Sequence, residues 1–180
     1  DFGFSMPFLP EHRLWNPALG GGALLDAGVY PISFVSSVLG PPVSVTAHGA
    51  MTSTGVDARA DLLLPSADGA TGIASTSIVT SMPVTAEILG SAGRLLVHSP
   101  FLAPSAVTLT VGGLNDEQHV TWADDPLTWH DGMAYEATAF ASYVGDGRLE
   151  SPVHSHAETV SVTATIDEAR QQVAAMPPVM

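Results

Sequence analysis

The chain has 180 residues and a formal net charge of −13, with 46% hydrophobic content. That content is ample for a core of about one domain, while so acidic a surface repels phosphate backbones and argues against nucleic-acid binding. Cysteine is absent, which excludes disulfides, a thiol nucleophile and thiolate metal sites, and lysine is absent too, so the five basic residues are Arg13, Arg59, Arg94, Arg148 and Arg170.

Residues 1–19 carry Phe2, Phe4 and Phe8, broken by Pro7, Pro10 and Pro17, and read as a strand followed by an irregular loop. They contain no basic segment followed by an apolar one. No signal peptide is therefore read, and a cytoplasmic location is expected. No apolar run is expected to reach the ~18 residues that a membrane span needs. Residues 22–39 read as a helix, because Leu25, Val29, Ile32, Val35 and Leu39 recur at helical spacing and Gly40-Pro41-Pro42 ends the pattern. Pro31 lies inside it. It removes a backbone donor and crowds the carbonyl of Ala27, so a kink is expected near Gly28.

From about residue 43 the period changes to two. Val43, Val45 and Ala47 alternate with Ser44, Thr46 and His48. Further runs follow at Val56–Leu64, Thr71–Val79, Val84–Leu89, Arg94–His98, Val107–Val111 and His119–Trp122, separated by turn residues such as Ala67-Asp68-Gly69. Short strands joined by tight turns predict a mostly antiparallel sheet. Two helices close the chain, Met133–Gly145 and Ser155–Val173. The second opens on a capping box of Ser155 and Glu158 and carries an apolar stripe of Val162, Ile166, Ala169 and Val173. Helices and sheet are segregated along the chain, so the predicted class is α+β, a single domain over residues 1–180 with a large open sheet and helices packed on one face.

The stretch GGGALLDAGVYPI, Gly20 to Ile32, stands out. Asp26 and Tyr30 are four residues apart and share a helix face. Asp26 reads either as a first-turn acid favoured by the helix dipole or as a site carboxylate. Tyr30 reads either as a half-buried packing residue or as a proton donor and acceptor. Three glycines admit close approach by a backbone or a ligand. A phenol becomes a usable acid or base when its pKa falls from about 10, which a cation promotes and a nearby carboxylate does not. This chain has no lysine to act as that cation.

The segment NPALGGGALLDAGVYPISFVSSVLG resembles the signature opening the C-terminal domain of the Gfo/Idh/MocA superfamily, the glucose-fructose oxidoreductase, inositol dehydrogenase and rhizopine catabolism proteins. The likeness is to its dihydrodiol dehydrogenase and xylose dehydrogenase branch. DFGF, VDARADLLL, EILGSAGRLLVHSPFLAP and MAYEATAFASYVGDGRLESPVHSHAETVSVTATIDEARQQ follow in the family's order. The resemblance implies a glyceraldehyde-3-phosphate dehydrogenase-like C-terminal domain that completes a substrate pocket and makes an oligomer interface. It also implies an N-terminal Rossmann domain that binds NAD or NADP. In such proteins hydride passes between nicotinamide and a sugar, polyol or cyclic diol. Asp26 matches the family's site Asp, and Tyr30 matches its His/Tyr acid/base position. The lysine of the family's Glu-Lys-Pro motif, in the Rossmann domain, would supply the cation.

Neither that lysine nor a Gly-x-Gly-x-x-Gly turn occurs in these residues. The Rossmann domain is therefore expected outside this chain, and these residues alone are expected to be inactive and to bind no dinucleotide. Weaker expectations are Arg13 as a cofactor contact and Trp15, His130 and Tyr135 as substrate contacts. For Arg13, a surface salt bridge is an equal reading. His154 and His156 lack a third ligand, so no metal site is expected. A homodimer or higher oligomer through the sheet face is expected. A competing reading makes the chain a non-catalytic scaffold that uses that face, around Ala60–Leu64 and Ile73–Val79, for dimerisation or carbohydrate binding. Abundant Ala, Val and Gly without lysine point to a GC-rich bacterial source.

Overall fold

A computed structural model describes residues 1–113, 116–124 and 129–176, apart from the side chains of 129–131. The strands are β1 (Phe2–Gly3), β2 (Thr46–Met51), β3 (Asp57–Pro65), β4 (Thr71–Ser77), β5 (Ala86–Gly90), β6 (Gly93–Val97), β7 (Ala106–Val111) and β8 (Gln118–Ala123). The helices are α1 (Val29–Leu39), α2 (Trp129–Gly145) and α3 (His156–Ala174). The α+β class and the antiparallel pairing are as the sequence predicts. The strands divide between two four-stranded sheets, ordered β1-β4-β3-β2 and β5-β6-β7-β8, and β1 runs parallel to β4. Between the sheets lies Ser81-Met82-Pro83-Val84. Pro83 has no N–H to donate to a ladder and Val84 takes a positive φ of 59°. The described residues form two compact units: residues 1–82 with 154 onward, and residues 83–153.

In the first unit the inner face of the sheet, with Ala47, Ala60, Leu62, Leu64 and Ala74, packs against Leu24 and Ile32 of the helical segment. Val162, Ile166, Ala169 and Val173 of α3 complete that core. The stripe predicted for α3 is the stripe that is buried. Its capping box is present, with Ser155 accepting from the Glu158 N–H and Glu158 accepting from the Ser155 N–H. A smaller cluster of Leu14, Trp15, Ala23 and Ile78, flanked by Phe4, Met6 and Val79, holds the N-terminal segment down. Within that segment two 3₁₀ turns, Arg13–Trp15 and Pro17–Leu19, stand where an irregular loop is predicted. By length and composition Pro17–Leu39 is apolar enough to cross a membrane, which corrects the expectation that no run qualifies. In the fold this stretch supplies Leu24 and Ile32 to the core.

In the second unit the strands form an antiparallel meander. Polar residues line one face: His98 Nε2 lies 2.8 Å from Thr108 Oγ1, which lies 2.9 Å from Thr121 Oγ1.

Candidate active site

The site helix begins with a π-turn, Leu24–Gly28, that leads directly into α1. The disruption expected from Pro31 thus takes the form of a widened turn ending at Gly28. Pro31 cannot donate to Ala27, and a π-turn is one way to absorb that lost bond. Gly28 permits the close seat: a Cβ there would lie 3.2 Å from Thr76 Cγ2 on β4.

The three glycines are explained by what they touch. Gly21 N–H donates to Asn16 O and Gly22 N–H to Leu14 O, both at 3.0 Å, which wraps the loop around the 3₁₀ turn of Arg13–Trp15. A Cβ on Gly21 would sit 2.7 Å from the carbonyl oxygens of Arg13 and Leu14. Gly22 has φ +117°, and a Cβ there would overlap the Asp57 carboxylate. Of the alternatives a glycine run leaves open, these two positions serve close approach by backbone and by a side chain of the same chain.

That wrapping brings Arg13 to Asp26. Arg13 Nη1 donates to Asp26 Oδ1 at 2.5 Å, and the side chains are 61% and 15% exposed. The mostly buried carboxylate of Asp26 therefore meets a guanidinium that reaches it from solvent. Tyr30 follows one turn on, 39% exposed, with its ring edge-on to Phe2 at 5.2 Å. Arg13 and Asp26 are thus paired, and Tyr30 stands four residues after Asp26 along the same helical segment.

Trp15 is 1% exposed, packs edge-on against Phe8 at 5.1 Å, and its indole Nε1 has no hydrogen-bond partner among the described residues. Tyr135 lies on α2 in the other unit, largely exposed. The side chain of His130 lies outside the described residues. No group of three or more metal-ligating side chains is gathered among the described residues.

One residue escaped the sequence reading. Asp57, 3% exposed, opens β3 and accepts the Leu24 N–H at 2.6 Å through Oδ2. Strict alternation would place Asp57 on the outer face with Arg59, Asp61 and Leu63. Instead Ala50 pairs with Arg59 and Met51 with Asp57, so a bulge at Ala58 turns the carboxylate inward. Burial pushes the Asp57 carboxyl above its ordinary value. The N–H groups of Leu24 and Asp57, the charge of Arg170 and the N–H of Ala23 pull the other way. The available signal was an omission. The helix has no Ser, Thr, Asn or Asp at its own N-cap, so its free N–H groups need an acceptor from elsewhere.

A model of the GFO/IDH/MocA C-terminal domain matches residues 1–96, the stretch that carries every element of this site except the cover provided by α3. The chain belongs to the GFO/IDH/MocA family. It is 32% identical over 179 residues to the trans-1,2-dihydrobenzene-1,2-diol dehydrogenase of Xenopus laevis, covering 97% of this chain and 54% of that protein. It is 33% identical over 177 residues to the Danio rerio protein of the same name, covering 96% of this chain and 52% of that one. The chain thus spans about half the length of the curated relatives it matches.

Among solved structures, a 3-ketoreductase from Actinomadura kijaniata in complex with NADP and TDP-benzene superposes with a TM-score of 0.76. The identity is 24%, over 95% of this chain and 52% of that one. A levoglucosan dehydrogenase in complex with NADH and levoglucosan superposes with a TM-score of 0.78 at 17% identity, over 92% of this chain and 51% of that one. At these identities the likeness shows the fold, and it is the GFO/IDH/MocA fold expected from the sequence.

Proposed function

We propose that this chain is the substrate-side domain of an NAD(P)-dependent oxidoreductase acting on a sugar, polyol or cyclic diol. The observation that carries the reading is the Arg13–Asp26 pair at the first turn of the helical segment that also carries Tyr30, within the region that matches the family model. The relatives, named as trans-1,2-dihydrobenzene-1,2-diol dehydrogenases and about twice as long as this chain, support the substrate class.

Nicotinamide, when bound, would supply the hydride donor or acceptor. This chain handles the proton. Tyr30 would give its hydroxyl proton to the substrate oxygen when a carbonyl is reduced, and its phenolate, favoured by a nearby cation, would take the proton back when an alcohol is oxidised. Asp26 orients the polar end of the substrate and is held in place by Arg13. Arg13 therefore acts first on Asp26, whatever it also offers a cofactor phosphate. The test is titration of the full-length gene product with NADPH and NADH, followed by turnover of trans-1,2-dihydrobenzene-1,2-diol and of simple sugars. Tight dinucleotide binding with turnover of either class supports the reading; absence of both refutes it.

The outer sheet face supports self-association. Leu63 and Ile73 are paired neighbours there, 48% and 71% exposed. We place a homodimer contact on this face. Ile73→Asp should shift the sedimentation of the full-length protein towards monomer, and unchanged sedimentation would remove the face from the interface.

A further inference from the structure

We propose that Asp57 is a positioning residue. From the bulge on β3, it anchors the first turn of the site helix and so sets where Asp26 and Tyr30 project. The inference rests on the reading of those two residues as the proton-handling pair.

The geometry points this way from three sides. Asp57 Oδ2 accepts the N–H of Leu24, the first residue of the π-turn that contains Asp26. Its other oxygen fills the space that a side chain on Gly22 would need. Meanwhile the Thr76 hydroxyl on β4 donates to the carbonyl of Ala23 at 3.3 Å. The peptide units at the helix start are thus clamped by two adjacent strands, with the carboxylate taking the donor and the hydroxyl taking the acceptor.

A π-turn has poorer intrinsic hydrogen bonding than an α-turn and persists where surroundings hold it. Asp57 is what holds its leading end. A negative group at a helix N-terminus also complements the dipole there. Without the anchor, this segment can relax towards regular α-helix. That relaxation would rotate Asp26 relative to Arg13 and move Tyr30 relative to Phe2.

Two substitutions perturb the contact independently. Asp57→Asn keeps the shape but removes the charge and one of the two acceptor oxygens. Gly22→Ala leaves the carboxylate charge intact but pushes it aside. Both are made in the full-length protein and compared with wild type and Tyr30→Phe. Amide hydrogen exchange is followed over residues 20–30. Turnover of trans-1,2-dihydrobenzene-1,2-diol with NADP is split into kcat and KM, and dinucleotide affinity is measured by titration.

Both anchor variants are expected to exchange at least ~10-fold faster over 20–30 and to lose at least ~10-fold in kcat, on the scale of a misplaced reacting group. Dinucleotide Kd should stay within about 3-fold, since the dinucleotide is held elsewhere. Unchanged exchange in Asp57→Asn overturns the proposal. So does faster exchange with wild-type kcat, which would leave Asp57 a purely structural cap. If wild type shows no turnover while Asp57→Asn loosens residues 20–30, the dehydrogenase reading fails and the anchoring stands. If Gly22→Ala does not fold, Asp57→Asn alone decides.

Discussion

Replacing Tyr30 by Phe separates chemistry from packing. The substitution removes one hydroxyl and leaves the ring. Tyr30 is 39% exposed, and its edge-on contact with Phe2, 5.2 Å between centroids at 65°, needs only the ring. The stability change should therefore stay within about 1 kcal/mol, since the site is partly exposed and the ring stays in place. Loss of a general acid/base should cost at least ~10²-fold in kcat. At 1.36 kcal/mol per decade, that is about 2.7 kcal/mol of barrier. The two magnitudes differ enough to be told apart in one experiment. Steady-state kinetics of the full-length enzyme gives the first number, and thermal denaturation of the same preparation gives the second. A kcat within about 3-fold of wild type would refute the assignment. A fall in kcat matched by a comparable loss of folding free energy would refute it too, because the ring's environment would then be at fault.

Asp26→Asn should lower kcat as well, with a stability loss below about 1 kcal/mol. Its partner Arg13 is 61% exposed, and the helix N-terminus is already served by Asp57. A melting-temperature loss without a kinetic effect would make Asp26 a structural residue. Leu62→Ala, in the middle of the sheet's inner face at 1% exposure, should cost about 2–5 kcal/mol by denaturant unfolding. A value below about 1 kcal/mol would mean that α3 does not cover that position. The pH dependence of Asp57 has a definite sign. Its folded pKa is raised above 3.8 by burial, so the stability it contributes is full below that value and is lost as pH rises through the raised one. Across that window wild type should lose stability relative to Asp57→Asn, whatever the offset between them at low pH. An opposite slope in paired thermal melts would show that the backbone donors outweigh burial.

What the sequence disclosed depended on periodicity staying regular. Helical spacing located the site helix and α3, and the Ser155/Glu158 pair marked a start that the structure reproduces. Period-two runs located seven of the strands to within a few residues, and in β2, β3 and β4 the alternation follows burial of one face. Asp26 and Tyr30 were legible as an unexpected pair on one helix face, and Arg13 was legible only as a choice between two roles. The misses share a cause. A bulge inserts one residue, and from that point alternation assigns side chains to the wrong face, so Asp57 looked like an outer-face acid. A π-turn leaves the spacing of apolar residues almost unchanged and cannot be read from it. Trp15 preceded the motif and seemed placed for a ligand. Its burial depends on Phe8 and Ile78, residues that no local pattern ties to it.

The first unit is discontinuous in the chain: residues 1–82 are joined by 154 onward, with the second unit's residues between them. The order of synthesis therefore runs against the order of need. The site helix is made well before Val162, Ile166, Ala169 and Val173, which cover the same core. Until then the sheet's inner face lacks the cover that α3 provides. Closing the unit means joining segments across an intervening stretch that has its own sheet, a non-local step of the kind that slows folding. The residues proposed to do chemistry are thus held in place only once α3 has been made.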